Sequence, residues 1–232
     1  MLLSPDEWEV VRLSLKVSVA GVAVVLPAAF ALAWVLARWR FPGKLLVDAI
    51  VHLPLVLPPV VTGWLLLLAF GANGPVGRWL ADWFGVTVMF RWTGAALAAA
   101  VMALPLMVRA IRLSIEAVDR RLEGAARTLG AGPWRSFATV TLPLCLPGVL
   151  AALVLGFARS IGEFGATITF VSNIPGETRT LPIAIYAALQ QPGGDVAVAR
   201  LSLIAVLLSL AALVASEWLA RRAGAGRGGH VL

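Results

Sequence analysis

Long stretches without a charged residue are the feature that most constrains the fold of this chain. The first lies between Lys16 and Arg38, and its length of about 21 residues is enough to cross a hydrocarbon core that needs about 20. Four more such runs follow: between Asp48 and Arg78, between Arg91 and Arg109 (about 17 residues, the lower limit for a span), and at residues 136–158 and 201–216. Because 60% of the residues are apolar and only 13% are charged, the composition favours an integral membrane protein over a soluble domain. The sequence therefore predicts about five transmembrane helices.

A sixth apolar run, residues 164–176, is too short to cross a membrane alone. It is predicted to form a re-entrant or half-depth helix. We expect the N-terminus outside and the C-terminus in the cytoplasm, because this orientation places most of the 19 Lys and Arg residues on the inner side. A sixth full span would move the basic C-terminal stretch "ARRAGAGRGG" outward, against the same rule.

The predicted fold class is all-α, with residues 1–232 forming a single transmembrane domain and residues 110–140 forming a cytoplasmic loop. The formal net charge is +7, but the basic residues border the apolar runs instead of lining one face. This placement is typical of topology signals in a lipid bilayer, and we expect no nucleic-acid partner.

The cytoplasmic loop contains the stretch "EGAARTLGAGPW", residues 123–134. Residues 109–129 are predicted to form one amphipathic helix, because their apolar residues recur at the helical period: Ile111, Ile115, Val118, Leu122 and Ala126. Gly130 suits the left-handed residue that ends a helix, and Pro133 suits the first position of the next. By physics alone, this helix could equally lie on the inner leaflet with its arginines on lipid phosphates.

The loop resembles the EAA loop of permease subunits in ATP-binding-cassette importers. The matching positions are Ala125, Ala126, Gly130, Val140, Leu142 and Pro143, while Glu123 stands one place earlier than in the plainest form of the motif. The resemblance implies a coupling helix that docks in a groove of a separate ATPase subunit. The chain itself contains no G-x-x-x-x-G-K-[ST] loop, so ATP must be bound by that partner, and we expect neither catalysis by this chain alone nor a cofactor of its own.

The downstream stretches "GEFGATITFVSN" and "GETRTLP" resemble molybdate permeases closely and sulfate permeases more loosely. The resemblance implies import of molybdate from a periplasmic binding protein across the inner membrane, with tungstate or sulfate/thiosulfate as alternatives. A secondary transporter is a further alternative, but the sequence has neither a clear inverted repeat nor a chain of buried carboxylates. Five spans are too few to enclose a path, so we expect a homodimer with two ATPase subunits.

Three hydroxyl residues, Thr167, Thr169 and Ser172, are candidates for the translocation pathway, since an oxyanion crossing the membrane needs hydrogen-bond donors. The alternative is that these hydroxyls bond their own helix backbone. Pro58 and Pro59 interrupt the second span and should therefore face protein or the pathway.

Arg159 and Glu163 are one helical turn apart and are predicted to form a structural ion pair. A pathway role for Glu163 is the less favoured alternative, because a carboxylate would repel an oxyanion. No residues stand at metal-ligand spacing, so no metal site is predicted.

Overall fold

The computed structural model describes the backbone of residues 3–225, with side chains up to residue 215 and that of Trp218. The basic C-terminal tail singled out above lies partly outside the described residues. Every regular element within that range is helical, which confirms the predicted all-α class. The elements are α1 Pro5–Arg38, α2 Lys44–Val56, α3 Pro59–Phe70, α4 Pro75–Phe84, α5 Trp92–Glu116, α6 Arg120–Thr128, α7 Pro133–Ser136, a π-helical turn Phe137–Thr141, α8 Leu142–Ile161, α9 Gly165–Val171, α10 Leu181–Leu189 and α11 Asp195–Ala225.

Helices α1 and α5 run parallel and form the centre of the bundle. Lys16 Nζ lies 3.8 Å from the ring centroid of Trp92, at the start of α5, and Arg38, at the other end of α1, reaches the segment that follows α5. We call these two ends of the bundle the Trp92 end and the Arg38 end. Helices α1 and α5 can pack closely because Gly21 has no side chain: a Cβ there would lie 2.7 Å from the carbonyl oxygen of Ala96. Small residues allow helix backbones in a membrane to approach in this way.

Helix α8 runs antiparallel to α5, because Gly148 lies against Ser114 and Gly156 lies against Met107. Helix α11 begins near the Trp92 end, where Arg200 Nη2 lies 2.9 Å from Glu7 Oε1. Among the described residues, four helical stretches are long and apolar enough to cross a membrane: α1, α5, residues 195–215 of α11 and the continuous stretch Pro133–Ile161. Together with the α2–α3 pair, they give up to five spans, as the sequence predicts.

The predicted second span is broken into two helices. Helices α2 and α3 are bent by 116° at Leu57 and Pro58. Asp48 in α2 pairs with Arg112 near the Arg38 end, whereas Leu66 in α3 belongs to the apolar cluster near the Trp92 end. The pair therefore has contacts near both ends of the bundle, and prolines, which lack a backbone N–H, mark the break between its two helices.

Two details differ from the sequence prediction. The third span is longer than the charge-free run, since α5 continues past Arg109 to Glu116. The charge of Arg112 in this extension is paired, because its Nη1 lies 3.1 Å from Asp48 Oδ1. The predicted amphipathic helix over residues 109–129 was wrong as a single element, since α5 ends at Glu116 and α6 begins at Arg120. Asp119 causes the restart, because its Oδ1 accepts a hydrogen bond from the backbone N–H of Arg121 at 2.9 Å. The short helices α4 and α10 were not predicted.

Candidate functional site

The coupling segment, which we define as residues 117–141, forms a helix, a turn and a second helix at the Arg38 end. Helix α6 ends at Thr128, and Gly130 has the left-handed φ of 86° that its position predicts. The backbone N–H of Ala131 donates to Ala126 O and that of Gly130 donates to Arg127 O, at 3.0 Å each. This pattern is a Schellman motif, which satisfies the last carbonyls of a helix.

The second half of the coupling segment leads directly into α8. Pro133 occupies the first turn of α7, as predicted, and the π-helical turn Phe137–Thr141 follows. The two motif residues Leu142 and Pro143 open α8. Because Pro143 has no N–H to donate, the regular helical ladder is interrupted just where the π turn occurs.

Glu123 is the polar centre of this segment. Its Oε1 accepts hydrogen bonds from Arg38 Nη2 at 2.5 Å and from Thr141 Oγ1 at 2.7 Å. Its backbone carbonyl also accepts a bond from Ser136 Oγ at 3.5 Å. The carboxylate therefore joins α6 to the end of α1 and to the π turn before α8.

The opposite face of the coupling segment is open. Ala125 is exposed and Ala126 is half-buried, while Leu129 and Trp134 have exposed fractions of 88% and 83%. Residues Gly124, Gly130 and Gly132 have no atom within 4 Å of where a Cβ would stand. With Leu122, the segment presents three large apolar side chains on a surface of small residues, which suits close approach by another protein backbone.

A cavity of about 440 Å³ separates the coupling segment from the last turns of α1. Phe137 lines this cavity, and its ring centroid is 5.0 Å from that of Trp34 and 6.3 Å from that of Trp134, both in edge-to-face geometry. Aromatic pairs favour this arrangement. Glu123 and Arg127 contribute charged groups to the cavity wall.

The predicted pair of Arg159 and Glu163 lies where α8 gives way to α9. Arg159 Nη1 is 2.6 Å from Glu163 Oε2, and the Glu163 side chain is 2% exposed. The second oxygen of Glu163, Oε1, accepts the backbone N–H of Ala166 at 2.8 Å. Glu163 thus stabilises the first turn of α9 through Oε1, while Oε2 is held by the ion pair with Arg159 and has no hydrogen bond among the described residues.

The pathway candidates fall on two helices that touch. Pro59, in the first turn of α3, lies against Gly165, in the first turn of α9, while Pro58 is the residue before α3. A Cβ on Gly63 would lie 2.5 Å from Ala166 O and 2.8 Å from the Thr169 Cβ, so the contact is closely packed.

The three hydroxyl candidates differ in their surroundings. Thr169 donates to the carbonyl of Gly165 in its own helix at 2.8 Å, as the alternative reading anticipates. Thr167 is buried, with an exposed fraction of 1%. Ser172 is exposed, has a left-handed φ of 64°, and accepts a bond from Thr178 Oγ1 through its carbonyl. The structure therefore does not gather the three hydroxyls into one cluster.

Sequence reasoning missed the partners of Glu123. Arg38 stands 85 positions before it and Thr141 stands 18 positions after it. The only sequence signal is that Arg38 is the basic residue that ends the first apolar run, which places it at the same face of the membrane as the loop.

The comparison with protein families identifies the family to which this chain belongs. The family described as "Binding-protein-dependent transport system inner membrane component" matches residues 10–224. The chain belongs to this family. It is therefore an inner-membrane component of a binding-protein-dependent transport system.

Individual relatives narrow the comparison. The chain is 60% identical to the molybdenum transport system permease protein ModB of Escherichia coli K12, over 98% of this chain and all of that protein. It is 41% identical to the sulfate transport system permease protein CysT of the same organism, over 82% of this chain and 70% of that protein. Among solved structures, a bacterial alginate ABC transporter in complex with its periplasmic protein matches with a TM-score of 0.73 and 20% identity, over 94% of this chain and 80% of that chain. The last likeness shows the fold of an ABC importer permease.

Proposed function

We propose that this chain is the membrane-spanning subunit of an ATP-driven importer that moves molybdate into the cytoplasm. The observation that supports molybdate as the substrate is the 60% identity to a molybdenum permease over 98% of this chain. The identity to a sulfate permease is 41%, over 82% of this chain. One relative belongs to a molybdenum transport system and the other to a sulfate transport system. Tungstate and sulfate/thiosulfate are therefore the substrates against which molybdate must be tested.

ATP-driven motion enters the chain through the coupling segment. The support is its geometry: a short helix closed by a Schellman turn, with Leu129 and Trp134 exposed beside small residues. A separate ATPase subunit docks on this face in the proposed complex, and a periplasmic binding protein delivers molybdate at the Trp92 end. The chain hydrolyses no ATP itself and needs no cofactor of its own.

Two copies of the chain enclose the path in the proposed transporter. Up to five spans are too few to surround an aqueous route, and large apolar side chains of α2 and α3 remain exposed on one chain: Leu45, Leu46, Ile50, Val56, Val60, Trp64 and Leu68. A second copy related by a two-fold axis would cover part of this surface and would bring two coupling segments to the same side.

The proposed path follows the contact between α3 and α9, to which Pro59 and Thr169 contribute. Thr167 lies in α9, while Pro58 precedes α3 and Ser172 follows α9. Pro58 and Pro59, at the start of α3, are exposed on the single chain. Irregular backbone at membrane depth is tolerated only where it is covered by protein or lines a water-filled cavity. Arg159 and Glu163 have a structural role beside this path, since each oxygen of Glu163 already has a partner.

The N-terminus is outside and the C-terminus is in the cytoplasm in this proposal. An odd number of crossings places the described termini at opposite ends, and the basic loop sets the direction. Reporters fused after Trp134 and near Pro175 test it: the first should be active only as a cytoplasmic reporter and the second only as a periplasmic one. The opposite result at Pro175 would contradict the topology.

The substrate is tested in proteoliposomes that contain this chain, its cognate ATPase and its binding protein. Molybdate, tungstate and sulfate are titrated in turn while ATP hydrolysis and uptake are recorded. We expect stimulation by the binding protein loaded with molybdate and none with sulfate. Stimulation by sulfate would keep the mechanism but overturn the substrate, and a chain that assembles with no ATPase would overturn the proposed function.

A further inference from the structure

We infer that Glu123 is a positioning residue that fastens the coupling helix α6 to two membrane helices, α1 and α8, and that it does not dock on the ATPase. This inference rests on the proposed function, because it concerns how the coupling segment passes on motion. It differs from the simplest expectation for a glutamate in a docking loop, which is a contact with the partner protein.

The direction of the Glu123 side chain carries the inference. Its Oε1 is shared between Arg38 Nη2 at 2.5 Å and Thr141 Oγ1 at 2.7 Å, so the carboxylate faces the bundle. The side chain of Glu123 is 22% exposed, whereas Leu129 and Trp134 on the open face are 88% and 83% exposed. Glu123 lines the same cavity as Trp134, but its Oε1 is already bonded to Arg38 and Thr141. A partner that docks on Leu129 and Trp134 would therefore meet a carboxylate whose charge is paired within the chain.

The two partners of Glu123 are themselves held in place. Thr141 is fully buried and ends the π-helical turn that leads into α8. The Arg38 side chain is 10% exposed, and its guanidinium carbon lies 5.4 Å from the Trp34 ring centroid. Within the described residues, Arg38 Nε has no hydrogen-bond partner, so Glu123 supplies the one ion pair of this cation.

The consequence is mechanical. Helix α1 ends at Arg38 and α8 begins just after Thr141, and the two helices cross the membrane in opposite directions. A displacement of α6 is therefore passed to two crossings at once through one carboxylate. Charge-assisted hydrogen bonds of this kind are among the stronger ones in proteins, so this contact can keep α6 attached while it moves. We call the contact of Glu123 with Arg38 and Thr141 the Glu123 joint.

The test uses substitutions on both sides of the joint. The variants are Glu123→Gln, Arg38→Met and the double variant, with Thr141→Val as an isosteric change that keeps the ion pair. Arg40→Met is the matched control, since Arg40 is exposed, follows α1 directly and has no ion pair in the described structure. Each is reconstituted with the ATPase and the loaded binding protein, and copurification of the ATPase is measured beside molybdate uptake per ATP hydrolysed.

We expect every variant to copurify with as much ATPase as the unsubstituted chain. Glu123→Gln and Arg38→Met should each lower uptake per ATP by about tenfold, and the double variant should lose no more than the worse single variant, because one interaction is removed once. Thr141→Val should lose less, and Arg40→Met should match the unsubstituted chain. Loss of ATPase binding in Glu123→Gln alone, with Arg38→Met unaffected, would overturn the inference, and so would additive losses.

A second readout needs no ATPase and separates this inference from the proposed function. Arg120, Arg121 and Arg127 are exposed on α6, and trypsin cleaves after them faster when this helix opens locally. In the purified full chain we expect about tenfold faster cleavage there for Glu123→Gln and Arg38→Met than for Arg40→Met. Equal cleavage rates in all three variants would contradict the role of Glu123 in holding α6, even if transport is confirmed. Faster cleavage in Glu123→Gln and Arg38→Met would support that role even if the proposed ATPase partner is wrong.

Discussion

The centre of the bundle and the coupling segment differ in how much of their side-chain surface is buried. Helix α5 buries most of its small residues against α1, and its alanines at positions 95, 98, 99 and 103 are at most 1% exposed. The coupling segment exposes its glycines, its arginines and three large apolar side chains. It is held to the bundle by a few polar contacts and by the packing of Phe137 on Trp34. The difference separates stability from coupling: the first region keeps the helices together, and the second can move without unpacking them.

The largest expected effect in the packed region is at the Arg159–Glu163 pair. Arg159→Met leaves the Glu163 carboxylate, 2% exposed, without its cation. Breaking a buried ion pair in this way costs about 3–5 kcal/mol of folding free energy. Thermal unfolding of the purified protein in detergent measures the loss. Glu163→Gln is the control, because it removes the charge and keeps an acceptor for the Ala166 N–H; equal melting temperatures for both variants would show that the charge is not buried as described.

A smaller effect is expected from one added methyl group in each region. Gly21→Ala places a Cβ 2.7 Å from Ala96 O, and the overpacking should cost about 1–3 kcal/mol. Gly124→Ala, in the helix of the coupling segment, meets nothing within 4 Å and should leave stability unchanged or slightly raised. The melting temperatures of the two variants are compared under the same conditions. If both fall equally, the contrast in packing between the two regions is wrong.

A modest loss of stability, with a larger effect on function, is expected at Gly130. Gly130→Val must place a β-branched residue at a φ of 86°, which costs about 1–2 kcal/mol within the turn alone. We expect the protein to assemble but to hydrolyse ATP with less uptake per ATP. Gly132→Val is the control, since Gly132 has an extended backbone with φ −65° and ψ 168°. Normal uptake per ATP in an assembled Gly130→Val protein would contradict the role of the turn.

The sequence could predict those features that depend on neighbours along the chain. Gly130 and Pro133 mark a turn and a helix start through their own backbone preferences, and Arg159 meets Glu163 because they are four residues apart. The prolines at positions 58 and 59 indicated an interruption of the second span, but not its angle of 116°, which depends on packing against α9.

Features that depend on distant parts of the chain could not be predicted. The bond from Arg38 to Glu123 joins residues 85 positions apart, and no local pattern announces it. The break at residues 117–119 was missed for a different reason: the apolar period continues through Val118, while the cap formed by Asp119 restarts the helix in a new direction.

The most direct test of the central claim is site-specific photocrosslinking in the assembled transporter. A photoreactive residue replaces Leu129 or Trp134 on the open face of the coupling segment, or Trp83 in α4 as a control of similar exposure at the Trp92 end. We predict crosslinks to the ATPase from positions 129 and 134 and none from position 83. Crosslinks from positions 129 and 134 to lipid alone would contradict the claim, because the segment would then lie on the membrane surface instead of receiving ATP-driven motion.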